Sequence, residues 1–438
     1  MITKTIPLYG SVIEHNAIPS VPAPTIAIPG KFNNSHTNLF LNQDILSKHI
    51  LMIGGTGCGK TNVYYHIVDQ IKRRLTPNDV MIVFDTKGDY YDLFANNQDY
   101  VIGGSFSTPQ TVKWNLFKEL VADGWNEERI SLNTRELSLT MFKEAKEKSK
   151  DAFFPNAARD LFATILQCML NEGKKDPDYK KECLYNSELS RALAEASLID
   201  IIAMIKSHPQ FSSVLSYVGD GQSEQALGVY AEMIENTRKL LVSSFAEKGG
   251  FSIRNFIRNA GGKTLFIEYD MAIGDSLSPV YSLLFDLALK EVLGRSSNKG
   301  NVYLICDEFR LLPNMQHIDD GVNFGRSLGL KVIAGLQSIS QFAEAYGESK
   351  GKNILSGFSS VFAFHANDAF TRDYIVKLHG KNVVLEQYKS LSNSIHEERQ
   401  RGNVVEDWNM SNLNIGEAII SYPFSKPFAF QFDLYNKT

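Results

Sequence analysis

No apolar run in this 438-residue sequence approaches the roughly 20 residues needed to cross a bilayer; the longest candidates, Ile50 to Ile53 and Val302 to Cys306, have the length of buried strands. The segment Met1 to Tyr9 lacks the apolar centre of a signal peptide. The expectation is a cytoplasmic, soluble chain, in which any recruitment to the inner face of the cell membrane runs through a partner. Cysteine is scarce: Cys58, Cys168, Cys183 and Cys306 show neither metal-ligand spacing nor a disulfide framework, as suits a reducing compartment. Charge of one sign is not in excess either. Lys plus Arg is 45 against 49 Asp plus Glu, a net charge of −4. That excludes a surface basic enough to coat nucleic acid everywhere, but not a local basic channel. Internal repeats, low-complexity tracts and basic stretches interleaved with stacking aromatics are all missing.

What is present is an ordinary globular composition, 43% hydrophobic and 21% charged, in a chain long enough for two or three domains. Residues 1–30 carry Pro19, Pro22, Pro24 and Pro29 and predict an extended arm. His49 to Ile53 predicts a buried strand, Asn62 to Arg74 a helix, and Val80 to Asp85 a second strand. Unbroken rather than alternating apolar strands point to a parallel sheet covered on both faces. From Asn126 to Glu247 strand signals vanish. Ala158 to Leu170 has an apolar face at helical spacing, Gly173 to Glu182 predicts a polar loop, and Ser223 to Phe245 a second long helix. Strands resume at Lys263 to Tyr269, Val302 to Cys306, Lys331 to Leu336, Val361 to His365 and Glu417 to Ser421. Between the first two, Ser278-Pro279 predicts an N-cap and first turn of a helix running to Leu293. Strand–helix alternation makes the class α/β. The expected domains are the arm (1–30), a nucleotide-binding domain (31–122 and 248–438) and an all-α insertion (123–247).

The chemistry is carried by Gly54-Gly55-Thr56-Gly57-Cys58-Gly59-Lys60-Thr61, which satisfies G-x-x-x-x-G-K-[ST] between a strand and a helix. Glycines allow the backbone N–H groups to turn inward on phosphate oxygens, and the following helix adds its positive end. Lys60 would reach the β and γ phosphates of ATP, and the Thr61 hydroxyl would hold Mg²⁺. A second strand, Val302 to Cys306, ends in Asp307-Glu308, a pair suited to binding Mg²⁺ through water and to polarising an attacking water. Gln337 ends the next strand, at the sheet edge where ligands bind in open parallel sheets. It could contact the γ-phosphate or the attacking water, or merely cap the strand. Arg326, on the helix before that strand, is either a finger reaching a neighbouring subunit's nucleotide or a solvated arginine. Asp85 ends a strand too, without chemistry assignable from spacing. Cys58 reads as a packing residue.

Taken together, the run LICDEFRLLPN, followed by GRSLGLKVIAGLQSISQFAEAYG, resembles the type IV coupling proteins of conjugation and type IV secretion, in the FtsK–HerA class of DNA-pumping ATPases. MIVFDTKGDYYDLF, KWNLFKEL, FSIRNFIRNAGGKTLFIEYD and the stretch from Phe358 to Gly380 extend the resemblance over about residues 25–435. It implies a RecA-like nucleotide-binding domain with an inserted all-α domain, assembled as a homo-hexameric ring. It places Lys60 and Thr61 on phosphate and Mg²⁺, Asp307 on Mg²⁺, Glu308 as catalytic carboxylate, Gln337 as sensor and Arg326 as the trans-acting arginine. The cargo it implies is DNA or a relaxase–DNA complex, with the all-α domain helping to recognise it. Family members usually carry N-terminal transmembrane helices, and here the expectation is a chain without them. A separate membrane-anchoring or secretion-channel partner would then take their place. Two other functions stay open: a nucleotide-gated receptor or adaptor that docks cargo without pumping, and a cytoplasmic DNA translocase of genome maintenance or phage defence. Two lysine runs, Lys143/Lys146/Lys148/Lys150 and Lys174/Lys175/Lys180/Lys181, are interleaved with acids and read as solvated surface rather than as a DNA grip.

Overall fold

In the computed structural model, which describes residues 2–103, 108–389 and 395–437, the unbroken apolar runs are strands buried at every position. In chain order the strands are β1 (Ile2–Tyr9), β2 (Ile26–Phe32), β3 (Ser35–Leu41), β4 (Ile50–Ile53), β5 (Val80–Asp85), β6 (Tyr100–Gly103), β7 (Lys263–Glu268), β8 (Val302–Cys306), β9 (Leu330–Leu336), β10 (Ser360–Phe364), β11 (Lys381–Lys389), β12 (Ile395–Asn403), β13 (Glu417–Ser421) and β14 (Phe428–Phe432). The chain divides into two compact units. One comprises residues 1–76, 297–310 and 319–438; the other comprises 77–296 and 311–318.

In the first unit the strand order is β3-β2-β14-β13-β10-β4-β9-β8. The four strands from β10 to β8 are parallel, and none of their residues is exposed. Burial on both faces requires apolar side chains at consecutive positions, which is why these strands are continuous runs. Beyond β10 the sheet turns antiparallel, an edge that no apolar run in the sequence marks. Its outer strands β2 and β14 are fully buried only at every second residue. A separate antiparallel sheet, β1-β11-β12, pairs the start of the chain with a hairpin. Within the segment expected as an extended arm, β1 and most of β2 are thus hydrogen-bonded strands.

The second unit holds the parallel strands β5-β7-β6 and the helical segment. There Phe153–Lys175 packs against Glu127–Met141 and Glu224–Arg238, burying Leu161, Phe162, Leu166, Val229 and Met233. Three expectations need correction. Gly173 to Glu182 is not a loop: the long helix runs to Lys175, and Pro177–Cys183 is a further helix. Asp176 caps it by accepting from the Asp178 and Tyr179 amides, and Pro177 sits at its first position, where a missing N–H costs nothing. The Ser223 helix ends at Arg238, and a 3-10 turn, Ser243–Ala246, follows. Helix Gly274–Leu293 begins one turn before Ser278-Pro279, leaving Pro279 inside it. The Ser278 hydroxyl donates to the Leu311 carbonyl at 3.1 Å instead of capping.

A buried polar network closes the base of the helical segment. Glu119 accepts from Trp114 Nε1 (3.0 Å), Ser252 Oγ (2.9 Å), the Ile253 amide (2.7 Å) and the Arg254 amide (3.2 Å). Arg254 and Arg258 both bridge Asp123 and Glu291. The segment entering the helices is thereby tied to the segment leaving them. Removing the Glu119 carboxylate strands several buried donors, each worth about 1–3 kcal/mol when unsatisfied. Glu119→Ala should therefore cost about 3–5 kcal/mol in urea unfolding. Glu119→Gln keeps one acceptor oxygen and should lose less than half of that.

Candidate nucleotide site

The register of the first unit brings four strand ends together. Ile53 of β4 lies between Leu336 of β9 and Ala363 of β10, and Cys306 of β8 lies beside Ala334. The residues leaving these ends are Gly54, Asp307, Gln337 and His365. Neighbouring strands anchor the loop: the Gly54 amide donates to Leu336 O (3.1 Å) and the Gly55 amide to His365 O (2.8 Å). A side chain at position 54 would meet Phe364 Cβ at 2.6 Å and Cys58 Sγ at 2.9 Å. Gly59 caps helix Lys60–Lys72 at φ +104°, in the left-handed region, with no side chain bonded to the first amides. Those amides and the helix dipole make an anion seat.

Lys60 is buried and folds back over the loop, its Nζ donating to Gly54 O (2.6 Å) and Gly55 O (3.1 Å). Beside it the Thr61 hydroxyl donates to Asp307 Oδ2 at 2.7 Å. A hydroxyl and a carboxylate are hard oxygen donors suited to Mg²⁺. Among the described residues no group of three His, Cys, Asp or Glu could hold a metal by itself.

Glu308 sits in a relay. Its Oε2 accepts from Gln337 Nε2 at 2.5 Å, and Gln337 Oε1 accepts from the Thr56 hydroxyl at 3.1 Å. Arg310 Nε lies 3.3 Å from Glu308 Oε1. Burial pushes the Glu308 carboxyl up, against the pull of Gln337, Arg310 and Lys60, which makes it a better proton acceptor near neutrality. Burial also raises the Cys58 thiol, consistent with packing rather than reactivity. The loop from Gly54 to Thr61, Asp307, Glu308 and Gln337 are thus assembled at one place. Arg326 instead lies in a 3-10 turn, Gly325–Leu328, rather than on an α-helix, and donates to Asp44 Oδ1 at 2.8 Å from a half-exposed position.

Sequence reasoning missed three contributors. Arg310 follows Glu308 by two residues, inside the run LICDEFRLLPN, but was given no role there. Gly335 lets β9 approach β8: a Cβ there would lie 2.1 Å from Asp307 O and 2.9 Å from the Tyr64 hydroxyl. Gly416, from the end of the chain, donates its amide to Cys58 O at 2.9 Å. The lysine runs fit the solvated reading: Lys174 pairs with Glu127 at 2.8 Å, Lys175 with Glu172 at 2.9 Å, and Lys148 with Glu144.

In the second unit Asp85 acquires a partner the sequence did not suggest. It lies in register with Glu268 at the carboxyl ends of β5 and β7. Asp85 accepts from the Tyr91 amide (2.8 Å) and the Lys87 amide (3.3 Å), which fixes the turn into helix Asp89–Phe94. Glu268 is 9% exposed and its Oε2 has no hydrogen-bond partner. Burial, with Asp85, Asp92 and Asp270 nearby, pushes Glu268 up to about 7.

The family model described as the type IV secretion-system coupling protein DNA-binding domain matches residues 34–423. The chain belongs to the type IV coupling protein family. The coupling protein TraD of Escherichia coli (strain K12) is 21% identical over 312 residues, 69% of this chain and 39% of TraD. The coupling protein VirD4 of Bartonella henselae is 22% identical over 74% of this chain and 51% of its own length. This family member therefore spans about half or less of those curated relatives. Among solved structures, the conjugative coupling protein TrwBdeltaN70 superposes with a TM-score of 0.77 at 19% identity, covering 99% of this chain and 94% of that one. VirB4 of Thermoanaerobacter pseudethanolicus superposes with a TM-score of 0.56 at 12% identity, covering 98% of each. The RecA-like α/β fold with its mainly parallel sheet is that of the TrwBdeltaN70 structure.

The Glu268 carboxyl gives a pH test. Its folded-state pKa lies above its unfolded value, so the folded chain holds the proton more tightly. Stability is greatest at low pH and is lost as pH rises from about 4.5 to about 7. Glu268→Gln escapes that loss. It should be more stable than wild type at pH 8 by about 1–3 kcal/mol and nearly equal at pH 5, read from thermal melts at both pH values.

Proposed function

We propose that this chain is the ATP-hydrolysing, Mg²⁺-dependent subunit of a ring motor that moves DNA, or a relaxase–DNA cargo, as a coupling protein. The observation that carries the reading is the joining of the phosphate loop to two acidic strand-end residues: Thr61 to Asp307, and Thr56 through Gln337 to Glu308. A site that only binds phosphate needs Gly54, Gly55, Thr56, Gly57, Cys58, Gly59, Lys60 and Thr61. The partly buried Glu308, with its raised pKa, adds a group able to take a proton from an attacking water. Mg²⁺, when bound, would supply positive charge against that developing on the phosphates. Thr61 and Asp307 would hold it, Lys60 would orient the phosphates, and Gln337 would align Glu308 and sense the terminal phosphate. TrwB has been solved with ADP and Mg²⁺, with the ATP analogue ADPNP and with the GTP analogue GDPNP, which supports a nucleotide and Mg²⁺ at this loop. The matched family description supports DNA as cargo.

Assembly as a homo-hexamer follows from the same reading. Arg326 is 53% exposed and held by Asp44, itself 42% exposed. Such an exposed pair contributes little, so the arginine is free to exchange Asp44 for a neighbour's transferring phosphate, where a finger is worth about 10³–10⁵ in rate. Among the described residues no helix is long and apolar enough to cross a membrane. A cytoplasmic ring docked on a membrane-anchored secretion-channel partner accommodates that. The domain division we propose keeps residues 123–247 as an all-α cargo-recognition module.

Glu308→Gln should retain ATP binding and lower turnover by at least about 100-fold, measured with and without DNA. Wild-type turnover that is nil in every oligomeric state would refute the motor and leave a nucleotide-gated adaptor. Mixing Arg326→Ala with Glu308→Gln subunits should restore part of the activity, because some interfaces then pair an intact arginine with an intact base. Mixed rings of verified composition that stay inactive would exclude the finger.

A further inference from the structure

A cavity of about 550 Å³ opens in the second unit, at the amino ends of β6 and β7. Three lysines line it, Lys113, Lys118 and Lys263, and among the described residues no aspartate or glutamate does. Tyr100, the first residue of β6, and Phe251 give it an aromatic wall, their ring centroids 5.7 Å apart. Asn255 and Asn259 add side-chain amides. The acid that precedes Tyr100, Asp99, is buried and taken by the Asn96 and Thr264 amides at 2.7 and 2.8 Å.

The walls are fixed by backbone. The Phe251 amide donates to Lys113 O at 3.0 Å, and the Asn115 amide to Phe251 O at 2.8 Å. Asn115 Nδ2 donates to Gly249 O at 2.9 Å, and Asn115 Oδ1 accepts from the Lys118 amide at 3.2 Å. A Cβ on Gly249 would lie 2.2 Å from Lys113 O, so a side chain there would push the two segments apart. Lys118 reaches back to this junction: a Cβ on Gly250 would lie 3.5 Å from its Nζ. Lys263 Nζ donates to Tyr100 OH at 3.3 Å and stands 5.3 Å from the centre of that ring. The cavity is thus built where the segments entering and leaving the helices are tied together.

Its donors are not spent on one another. Lys118 Nζ and the side-chain amides of Asn255 and Asn259 have no partner among the described residues. Lys113 pairs with Glu247 at 3.1 Å, in a contact open enough to solvent to contribute little. Three ammonium groups around one concavity raise its positive potential, which an anion relieves. An aromatic wall beside them suits a phosphate that carries a base, since lysines take the phosphate and rings offer a stacking surface. We propose that this cavity binds a nucleotide phosphate, supplied by a single strand of DNA, at a site separate from the glycine loop. The choice of strand rests on the DNA reading above; the site rests on the cavity. Its residues come from positions 100 to 263, so no basic and aromatic run in the sequence marks it.

Binding of a short labelled oligothymidylate to the full chain is read by fluorescence anisotropy, without ATP, between about 50 and 200 mM salt. Lys118→Ala combined with Lys263→Ala should weaken it at least about ten-fold and reduce the salt slope by about 1.4, two contacts at about 0.7 each. Lys118→Ala alone, at an exposed position that should leave the fold intact, should give about half of that slope change. Arginine at both positions keeps the charge and should bind within about three-fold of wild type. Lys352→Ala, an exposed lysine of the first unit, should change nothing. Unchanged affinity and slope in the double alanine variant, or an equal loss in Lys352→Ala, overturns the pocket and leaves DNA as cargo. Thymidine monophosphate, titrated by calorimetry, separates the two sources of the phosphate. If wild type binds it but not the strand, and the double variant loses it, the pocket stands, serving a free phosphorylated compound, and the DNA reading falls. Wild type that binds neither probe overturns the pocket, while ATP turnover of the same preparation judges the motor separately.

Discussion

The hydrogen bond from Thr61 to Asp307 depends on the parallel register of β4, β9 and β8, and the rest of the site depends on the same constraint. Hydrogen bonding between these strands places Ile53, Leu336 and Cys306 at one edge. The residues that leave that edge are a glycine loop, a glutamine and two carboxylates. Buried at every position, these strands are packed on both faces, and a slipped register would break that close packing. The chemistry thus borrows its positional accuracy from the core.

Most of the parallel core and most of the site are legible in the amino-acid sequence. Consecutive apolar residues leave only buried strands as an option, and G-x-x-x-x-G-K-T names its own backbone path. Asp307, Glu308 and Gln337 stand out because each closely follows such a strand. The antiparallel edge does not. β12 is almost wholly polar, IHEERQRGN, and β2 and β14 bury only alternate positions, so neither gives an apolar run. Helix ends are misplaced where one cue has two readings. Ser278-Pro279 looks like a helix start, yet its serine bonds Leu311 and the helix runs through it. Contacts distant in sequence are beyond reach for a simpler reason: the pairing of Asp85 with Glu268, or of Gly416 with Cys58, exists only once the strands are in register.

Buried charge is handled in three ways, two of them within the second unit. At the base of the helical segment Glu119 takes four donors, while Asp123 and Glu291 share Arg254 and Arg258. Such a network is costly to break because each member would leave its partners stranded. At the ends of β5 and β7, Glu268 has no such company and holds its proton instead. In the nucleotide site Glu308 lies between these extremes, bonded on one oxygen and facing a half-exposed arginine with the other. A partly compensated carboxylate of this kind can change protonation without dismantling its surroundings.

Gly335 has a consequence of another kind. The Asp307 carbonyl occupies the space that a methyl group would need at position 335, and Gln337 follows two residues later on the same strand end. Asp307 and Gln337 are therefore referenced to one point of backbone contact. Neither can drift alone: any side chain at 335 displaces both together. A single methyl group at this one position is therefore enough to disturb both residues on which the proposed chemistry depends.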